Sequence, residues 1–449
     1  MQITRGYKTE LDLNDKQITA CKQHAGAARW AWNWGLRRKQ EVYAQTEQSI
    51  SAMELHRELN ALKQTDVPWM YEVSKCAPQE ALRDLDTAFS NFFRRCRLKK
   101  AGKWRGKVGY PKFKSKKKGI GSFTLTGSIH IFDKAIQLPR LGRLRLKECG
   151  YLPTKDVTIL SATISEQAGR WYVSVQVKMT VLDPVNAKGS PIGIDLGITA
   201  LATCSDGRKA ANPKALHKNL KKLKRAGRAV SRKQQGGKNR KKAVNKLART
   251  HVRIANIRLD TLHKATSQFT HAPLSDAERA AFQSQLATLL PQAKTKQEQK
   301  SIRKQVKKLR HQTTPENSDR RPREIVLEDL NVDGMKRNRK LARAVSDVGM
   351  GEFRRQMAYK ALWNGERLTF ADRFFPSSKC CHECRWKWGA MELKDRIFVC
   401  QNPLCRLFQV KQDRDENASK NLVGLAQDEA QPTTVSCTGS DACGESSSG

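Results

Sequence analysis

Three acids stand where acids are costly. Asp195 interrupts the apolar run IGIDLGI, Glu328 closes the apolar segment EIVLE with Asp329 behind it, and Asp415 lies near the start of the helix-forming stretch DRDENASKNLVGLA. A carboxylate taken out of water costs several kcal/mol unless a cation or hydrogen bonds compensate it. Taken singly, such an acid is a turn or salt-bridge residue as readily as a functional one, so the information lies in the three together. Carboxylate oxygens that converge suit hard divalent cations such as Mg²⁺. A second group is equally pointed. Five of the twelve cysteines fall between Cys380 and Cys405, while Cys21, Cys76, Cys96, Cys149 and Cys204 are isolated and Cys437 and Cys443 sit in a Ser/Gly-rich tail. Cys381 and Cys384 form a CxxC pair, and Cys400 and Cys405 have four residues between them. Both gaps suit structural zinc, and four thiolates close its tetrahedron without an open position. Cys380 and His382 are spare donors; Cys380 could take the place of Cys381, although CxxC geometry favours Cys381. Clustered thiols in an intracellular chain bind metal more often than they form disulfides.

Ordinary elements must bring these groups together. The segment PIGIDLGITALATCSDGRKAAN reads as an antiparallel meander of three strands that turns at Asp206 and Gly207. An acid on a meander, an acid ending a later strand and an acid opening a helix, in that order, is the layout of ribonuclease H-like nucleases. Acids so arranged hold two Mg²⁺ ions about 3.5–4 Å apart, clamping the attacking water and the leaving oxygen of a phosphodiester. Around this unit the patterns change. QITRGYKTEL reads as a strand, a helix opens near Asn14 or Asp15, and helical periodicity continues to about residue 100. Trp30 and Trp34 share one helix face with Trp32 opposite, a stripe expected to pack in a helical core. Short alternating runs from about 120 to 183 (SFTLTG, SIHIF, AIQLPRLGRLRL, VTILSATIS, RWYVSVQVK) predict a small β-barrel or curved sheet. GEFRRQMAYKALWNG predicts a helix and RLTFADRFF a strand leading into the cysteines. Residues 271–322 read as a polar, Gln- and Lys-rich insertion, helical or partly disordered, and the last two dozen residues as a disordered tail.

Charge limits the partner. The 449 residues suffice for two to four packed units, and 85 Lys and Arg against 43 Asp and Glu leave a net +42, which calls for a polyanion. A hydrophobic share of 38% argues for folded domains. No apolar stretch approaches a membrane span and the N-terminus lacks a signal-peptide core, so a soluble, cytoplasmic protein with no membrane partner is expected. Lys112, Lys114 and Lys116 alternate with Pro111, Phe113 and Ser115 in GYPKFKSK, a pattern suited to tracking a phosphate backbone. Residues 218–249 hold fourteen Lys or Arg and no acid. Their leucines and Val244, Leu247, Ile254 and Ile257 predict a helical hairpin turning at Gly236 and Gly237, with nucleic-acid contacts expected at Lys221, Lys222, Lys224, Arg225, Arg232, Arg240, Lys241 and Lys242.

The segments GIDLGITALATCSDG, IVLEDLNVDGM, FFPSSKCCHEC and DRDENASKNL, in this order, resemble the signature of the TnpB nucleases (OrfB type) encoded by insertion-sequence transposons, relatives of the type V CRISPR effectors. GYKTEL, AARWAWNWGL, GYPKFKSK and the basic helix pair extend the resemblance over most of the chain. It implies a multidomain α/β protein. Residues 189–378 and 407–428 would form an RNase H-like (RuvC) nuclease domain, 379–406 an inserted zinc ribbon, 1–13 and 119–188 a wedge β-barrel, 14–118 a helical recognition lobe, and 429–449 a tail. It implies that Asp195, Glu328 and Asp415 are catalytic Mg²⁺ ligands, Asp415 rather than Asp413 because the second aspartate of DRDxNAAxN is the catalytic one. It also implies a structural Zn²⁺, a guide RNA transcribed from the transposon end, and a double-stranded DNA target cut beside a short transposon-adjacent motif. The setting would be a prokaryotic cytoplasm, with nucleoid association while DNA is bound. A guided regulator that does not cut, and a transposase, are the rival readings; the presence of all three acids counts against the first. This chain departs from the family at CQNPLC, where CPxCG is usual, at Ser419 in place of an alanine, and in the length of 271–322.

Overall fold

The structure, a computed structural model, describes residues 1–104, 106–116, 119–181, 183–271, 319–392 and 394–426, with a few positions between 284 and 299. The expectations for most of 271–322 and for the tail fall outside the described residues. The chain forms two compact units: Met1–Asp183 with Lys221–Arg253, and Pro184–Leu220 with the residues from Ile254 onward. Both mix helices and strands.

The first unit opens with β1 (Gln2–Asp12) and the helix α1 (Asp15–Thr46). Asn14 is the cap: its side chain accepts the Gln17 amide at 2.9 Å while Gln17 accepts the Asn14 amide at 3.1 Å. Ser51 and Glu54 cap α2 (Ala52–Thr65) in the same way, and α3 (Cys76–Lys100) follows. A Cβ on Gly35 of α1 would stand 2.6 Å from Leu82, so the glycine admits the leucines of α3 and a tight helix pair results. Trp32 is the buried member of the aromatic stripe, its indole N–H donating to the Lys112 carbonyl at 3.0 Å. Trp30 and Trp34 stack at 6.0 Å on the half-buried face and pack against the core from outside. The strands β2 (Ser122–Leu125), β3 (His130–Ile131), β4 (Ala135–Leu138), β5 (Gly142–Leu146), β6 (Val157–Gln167) and β7 (Arg170–Thr180) join β1 in one seven-stranded sheet ordered β2-β6-β7-β1-β5-β4-β3. Alternation explains its register: Trp171, Val173, Val175 and Val177 all point into the core.

The second unit is built on a five-stranded sheet. β8 (Ile192–Asp195), β9 (Ala200–Cys204) and β10 (Lys209–Ala211) form the antiparallel meander, and β11 (Glu324–Glu328) and β12 (Arg367–Ala371) extend it in the order β10-β9-β8-β11-β12, with β11 parallel to both its neighbours. Ile325, Val326 and Leu327 are all fully buried, as a strand covered on both faces requires. Residues 184–188, assigned to the wedge from sequence, belong to this unit, where the Ala187 amide bonds the Gly365 carbonyl at 3.0 Å. The helix pair is α4 (Ala215–Ser231) and α5 (Lys238–Phe269), with Gly236 at φ +85° in the turn; Lys221–Arg253, assigned from sequence to the nuclease domain, groups with the first unit, and only the outer ends of the pair belong to this one. Asp347 anchors the start of α4 by accepting the Leu216 amide at 2.9 and 3.0 Å and Arg258 Nε at 2.8 Å. Beyond β11 come α6 (Val332–Arg337), α7 (Ala342–Val348) and α8 (Met350–Asn364). β12 stops earlier than its sequence suggests, because the Asp372 side chain and carbonyl capture the amides of Phe374 and Phe375 in a turn. The hairpin strands β13 (Ile397–Val399) and β14 (Lys411–Asp413) lead into α9 (Arg414–Val423).

Candidate functional site

Three elements carry the acids: Asp195 ends β8, Glu328 ends the adjacent parallel strand β11, and Asp415 lies in the first turn of α9. A glycine brings the third element in. A Cβ on Gly193 would lie 2.0 Å from the Ser419 carbonyl and 2.7 Å from Leu422, so only a bare α-carbon lets α9 lie against β8. Ser419 is fully buried at that contact and turns its hydroxyl onto the Glu416 carbonyl, which is how a serine fits where the family has alanine. Gly193→Ala therefore must lift α9 off the strand. The expected outcome is a loss of about 3 kcal/mol in chemical unfolding, as for other overpacked contacts, together with loss of activity.

Charge is concentrated here. Burial, then the negative charges of Glu328 and Asp415, push the Asp195 carboxyl well above the usual range, and its hydrogen bond with Glu328 adds to the shift. Burial raises Glu328 as well, against the pull of hydrogen bonds from Ser377 and Asp195. Asp415 pairs with Arg414 at 3.2 Å. The neighbouring acids are otherwise engaged. Asp413 caps α9 through the Asp415 and Glu416 amides and pairs with Lys209 at 3.0 Å, and Asp329 is held by Arg354 at 2.9 Å and Arg373 at 2.5 Å. The three site acids share their charge without being drawn tightly together. Among the described residues, the one group of three or more ligand atoms lying within 4.8 Å of one another is the cysteine set.

Cys381, Cys384, Cys400 and Cys405 make up that set, and Cys380 does not belong to it. The Sγ atoms of Cys381 and Cys405 are 3.8 Å apart and those of Cys384 and Cys400 3.6 Å. A tetrahedron with zinc–sulfur bonds of about 2.3 Å has edges of about 3.8 Å, so the donor set fits zinc. Desolvation opposes ionisation of Cys384, but the Trp386 amide and the Asn402, Cys405 and Cys400 side chains bring its thiol down to about 7. Desolvation pushes the Cys400 thiol up to about 12, with the Cys384 and Cys381 thiols adding to it. The unusual second knuckle turns without glycine: Asn402 accepts the Leu404 amide at 3.1 Å and Cys405 Sγ accepts the Leu407 amide at 3.4 Å.

Several residues of this region carry no role that could be read from the sequence. Ser377 donates its hydroxyl to Glu328, and the buried Asn417 and Asn421 of α9 bond the backbone of the cysteine segment. Their one sequence signal is position: Ser377 lies in FFPSSKCCHEC, and Asn417 and Asn421 lie in DRDENASKNL.

Of the basic residues expected to meet nucleic acid, Lys112, Lys114, Lys116, Lys221, Lys222, Lys224, Arg225, Arg232, Lys241 and Lys242 are exposed and Arg240 is half-buried. Two also make contacts within the fold. Lys114 sets its ammonium 3.7 Å from the Trp32 ring centre, where desolvation lowers its pKa against the pull of Asp84. Arg240 closes the helical hairpin by donating to the carbonyls of Val230 at 2.8 Å and Lys233 at 3.0 Å.

Three family models match the chain: OrfB_IS605, "Probable transposase", over residues 173–271; a "Helix-turn-helix domain" of the same family over 1–48; and "Cas12f1-like, TNB domain" over 351–422. Residues 1–48 hold the strand β1 and the single helix α1 rather than two helices about a turn. A Streptomyces pristinaespiralis protein named "Putative RNA-guided DNA endonuclease" is 31% identical over 95% of this chain and 90% of its own. The Escherichia coli (strain K12) protein "Putative RNA-guided DNA endonuclease InsQ" is 27% identical over 94% and 92%. A solved complex of Cas12f1 with sgRNA and target DNA aligns over 94% of this chain and 99% of that one at 13% identity, with a TM-score of 0.30. The chain belongs to the TnpB family of transposon-encoded proteins, which is related to the type V CRISPR effectors. None of its described helices is long and apolar enough to cross a membrane.

Proposed function

We propose that the chain is an RNA-guided DNA endonuclease that hydrolyses a phosphodiester at Asp195, Glu328 and Asp415. The observation that carries this reading is geometric: Asp195 and Glu328 end adjacent parallel strands, and Asp415 opens the helix that Gly193 lets lie against them. Two Mg²⁺ ions, when bound, would supply Lewis acidity and an activated water on either side of the scissile phosphate. The residues do the rest: β8 and β11 fix two ligands side by side, and α9 presents the third. Glu328 is oriented by the Ser377 hydroxyl, and Arg414 is placed beside Asp415 to balance charge. The thiolates of Cys381, Cys384, Cys400 and Cys405 would hold one structural zinc.

In this reading residues 14–118 form the recognition lobe, 1–13 and 119–183 the wedge barrel, and the second unit the RuvC-like nuclease domain with its ribbon at 379–406. Its partners are a guide RNA from the transposon end, read by base pairing, and duplex DNA bearing a short flanking motif. Exposed Lys221, Lys222, Lys224 and Arg225 with Lys241 and Lys242 supply phosphate contacts.

The test is to sequence RNA that co-purifies with the chain and challenge the complex with DNA matching the RNA 3′ end beside a randomised flank. Discrete RNA and cuts confined to matched targets are expected; absence of a discrete RNA sinks the guided reading. The match to a family described as "Probable transposase" keeps strand transfer in view, and joined DNA ends among the products would favour it.

A further inference from the structure

Between the cysteine segment and Glu328 runs a continuous set of buried and half-buried hydrogen bonds. Ser377, four residues before Cys381 and only 4% exposed, donates its hydroxyl to Glu328 Oε1. Its own carbonyl accepts Asn421 Nδ2 at 2.8 Å, and the same nitrogen donates to the Cys380 carbonyl at 2.6 Å. One helical turn earlier, Asn417 Nδ2 donates to that Cys380 carbonyl at 2.7 Å, while Asn417 Oδ1 accepts the His382 amide at 3.1 Å and meets His382 Nδ1 at 3.0 Å. Arg385, directly after Cys384, donates to Asn421 Oδ1 at 2.9 Å and occupies space that a Cβ on Gly424 would close to 1.9 Å.

Both asparagines are at most 1% exposed and bonded at both ends of the amide, on the helix that carries Asp415. Buried amides satisfied this fully hold one geometry, because any shift leaves donors or acceptors unpaired. One side of the network thus fixes the first zinc knuckle, and the other fixes the carboxyl of Glu328 and the start of α9.

We infer that Ser377 is a positioning residue for Glu328, and that Asn417 and Asn421 tie the zinc ribbon to the acid cluster, so that the ribbon's state sets the affinity of the acids for their divalent ion. This rests on the proposed two-metal site. Partners of metal-ligating carboxylates of this kind change metal affinity by about 10- to 100-fold when removed.

The experiment uses the full chain and titrates Mn²⁺ as a paramagnetic stand-in for Mg²⁺, reading bound metal by electron paramagnetic resonance, zinc by elemental analysis and folding by thermal denaturation. Ser377→Ala should bind Mn²⁺ at least about tenfold more weakly with one zinc retained, and Ser377→Thr, which keeps the hydroxyl, should recover most of the affinity. Asn421→Ala should weaken Mn²⁺ binding with zinc still in place. Wild-type Mn²⁺ affinity in folded, zinc-loaded Ser377→Ala and Asn421→Ala overturns the inference. If the wild-type chain itself takes up no Mn²⁺, the two-metal reading fails before the variants are compared, so the two failures are told apart.

Discussion

Asp195→Asn is expected to leave guided DNA binding intact while cutting falls by at least about 10³-fold, or ~4 kcal/mol on the barrier. The same substitution should make the metal-free protein more stable. Burial and the charges of Glu328 and Asp415 raise the Asp195 pKa well above its ordinary value, so the folded chain holds a proton that the unfolded chain has released. Stability of the metal-free protein then falls as pH rises from the ordinary carboxylate range up through the raised value. An amide carries no such charge, so the variant should melt higher at neutral pH and lose that part of the pH dependence. Cleavage by gel assay, binding by mobility shift, and melting across pH with chelator present check the three parts. A variant that cuts at the wild-type rate removes Asp195 from the chemistry.

The second large effect concerns the thiols. Cys400→Ser leaves three sulfur ligands around a site whose remaining core is small, formed by Cys381, Met391, Phe398 and Cys405 with half-buried Trp386 and Trp388. Structural zinc in peptides of this type supplies about 10 kcal/mol or more of folding free energy, far more than so small a core can replace. Loss of bound zinc, faster proteolysis within 379–406 and loss of cutting are expected together. Retention of full activity by a zinc-free Cys400→Ser protein would remove the metal from the account.

Much of the arrangement was legible because it rests on local rules. The apolar runs IGID and EIVLE could be read as strands with acids at their ends because each is short, β-rich and bounded by turn residues. The cap at Asn14 and the turn at Gly236 follow from side-chain chemistry at single positions. What could not be read depends on residues distant in sequence. That Gly193 is a contact for α9 more than two hundred residues later, and that Ser377 turns to Glu328, are facts of packing that no spacing encodes. Lys114 shows the limit from the other side: it is exposed, as its place in an alternating basic run suggests, yet its contact with a tryptophan 82 positions earlier is encoded in no local pattern.

The most direct measurement is an anomalous-scattering map of crystals of the guide- and target-bound chain soaked in Mn²⁺. Peaks are expected within about 2.0–2.3 Å of carboxylate oxygens from Asp195, Glu328 and Asp415, two ions about 3.5–4 Å apart. Manganese bound elsewhere, with these three side chains making no metal contact in a complex competent to cut, would contradict the account.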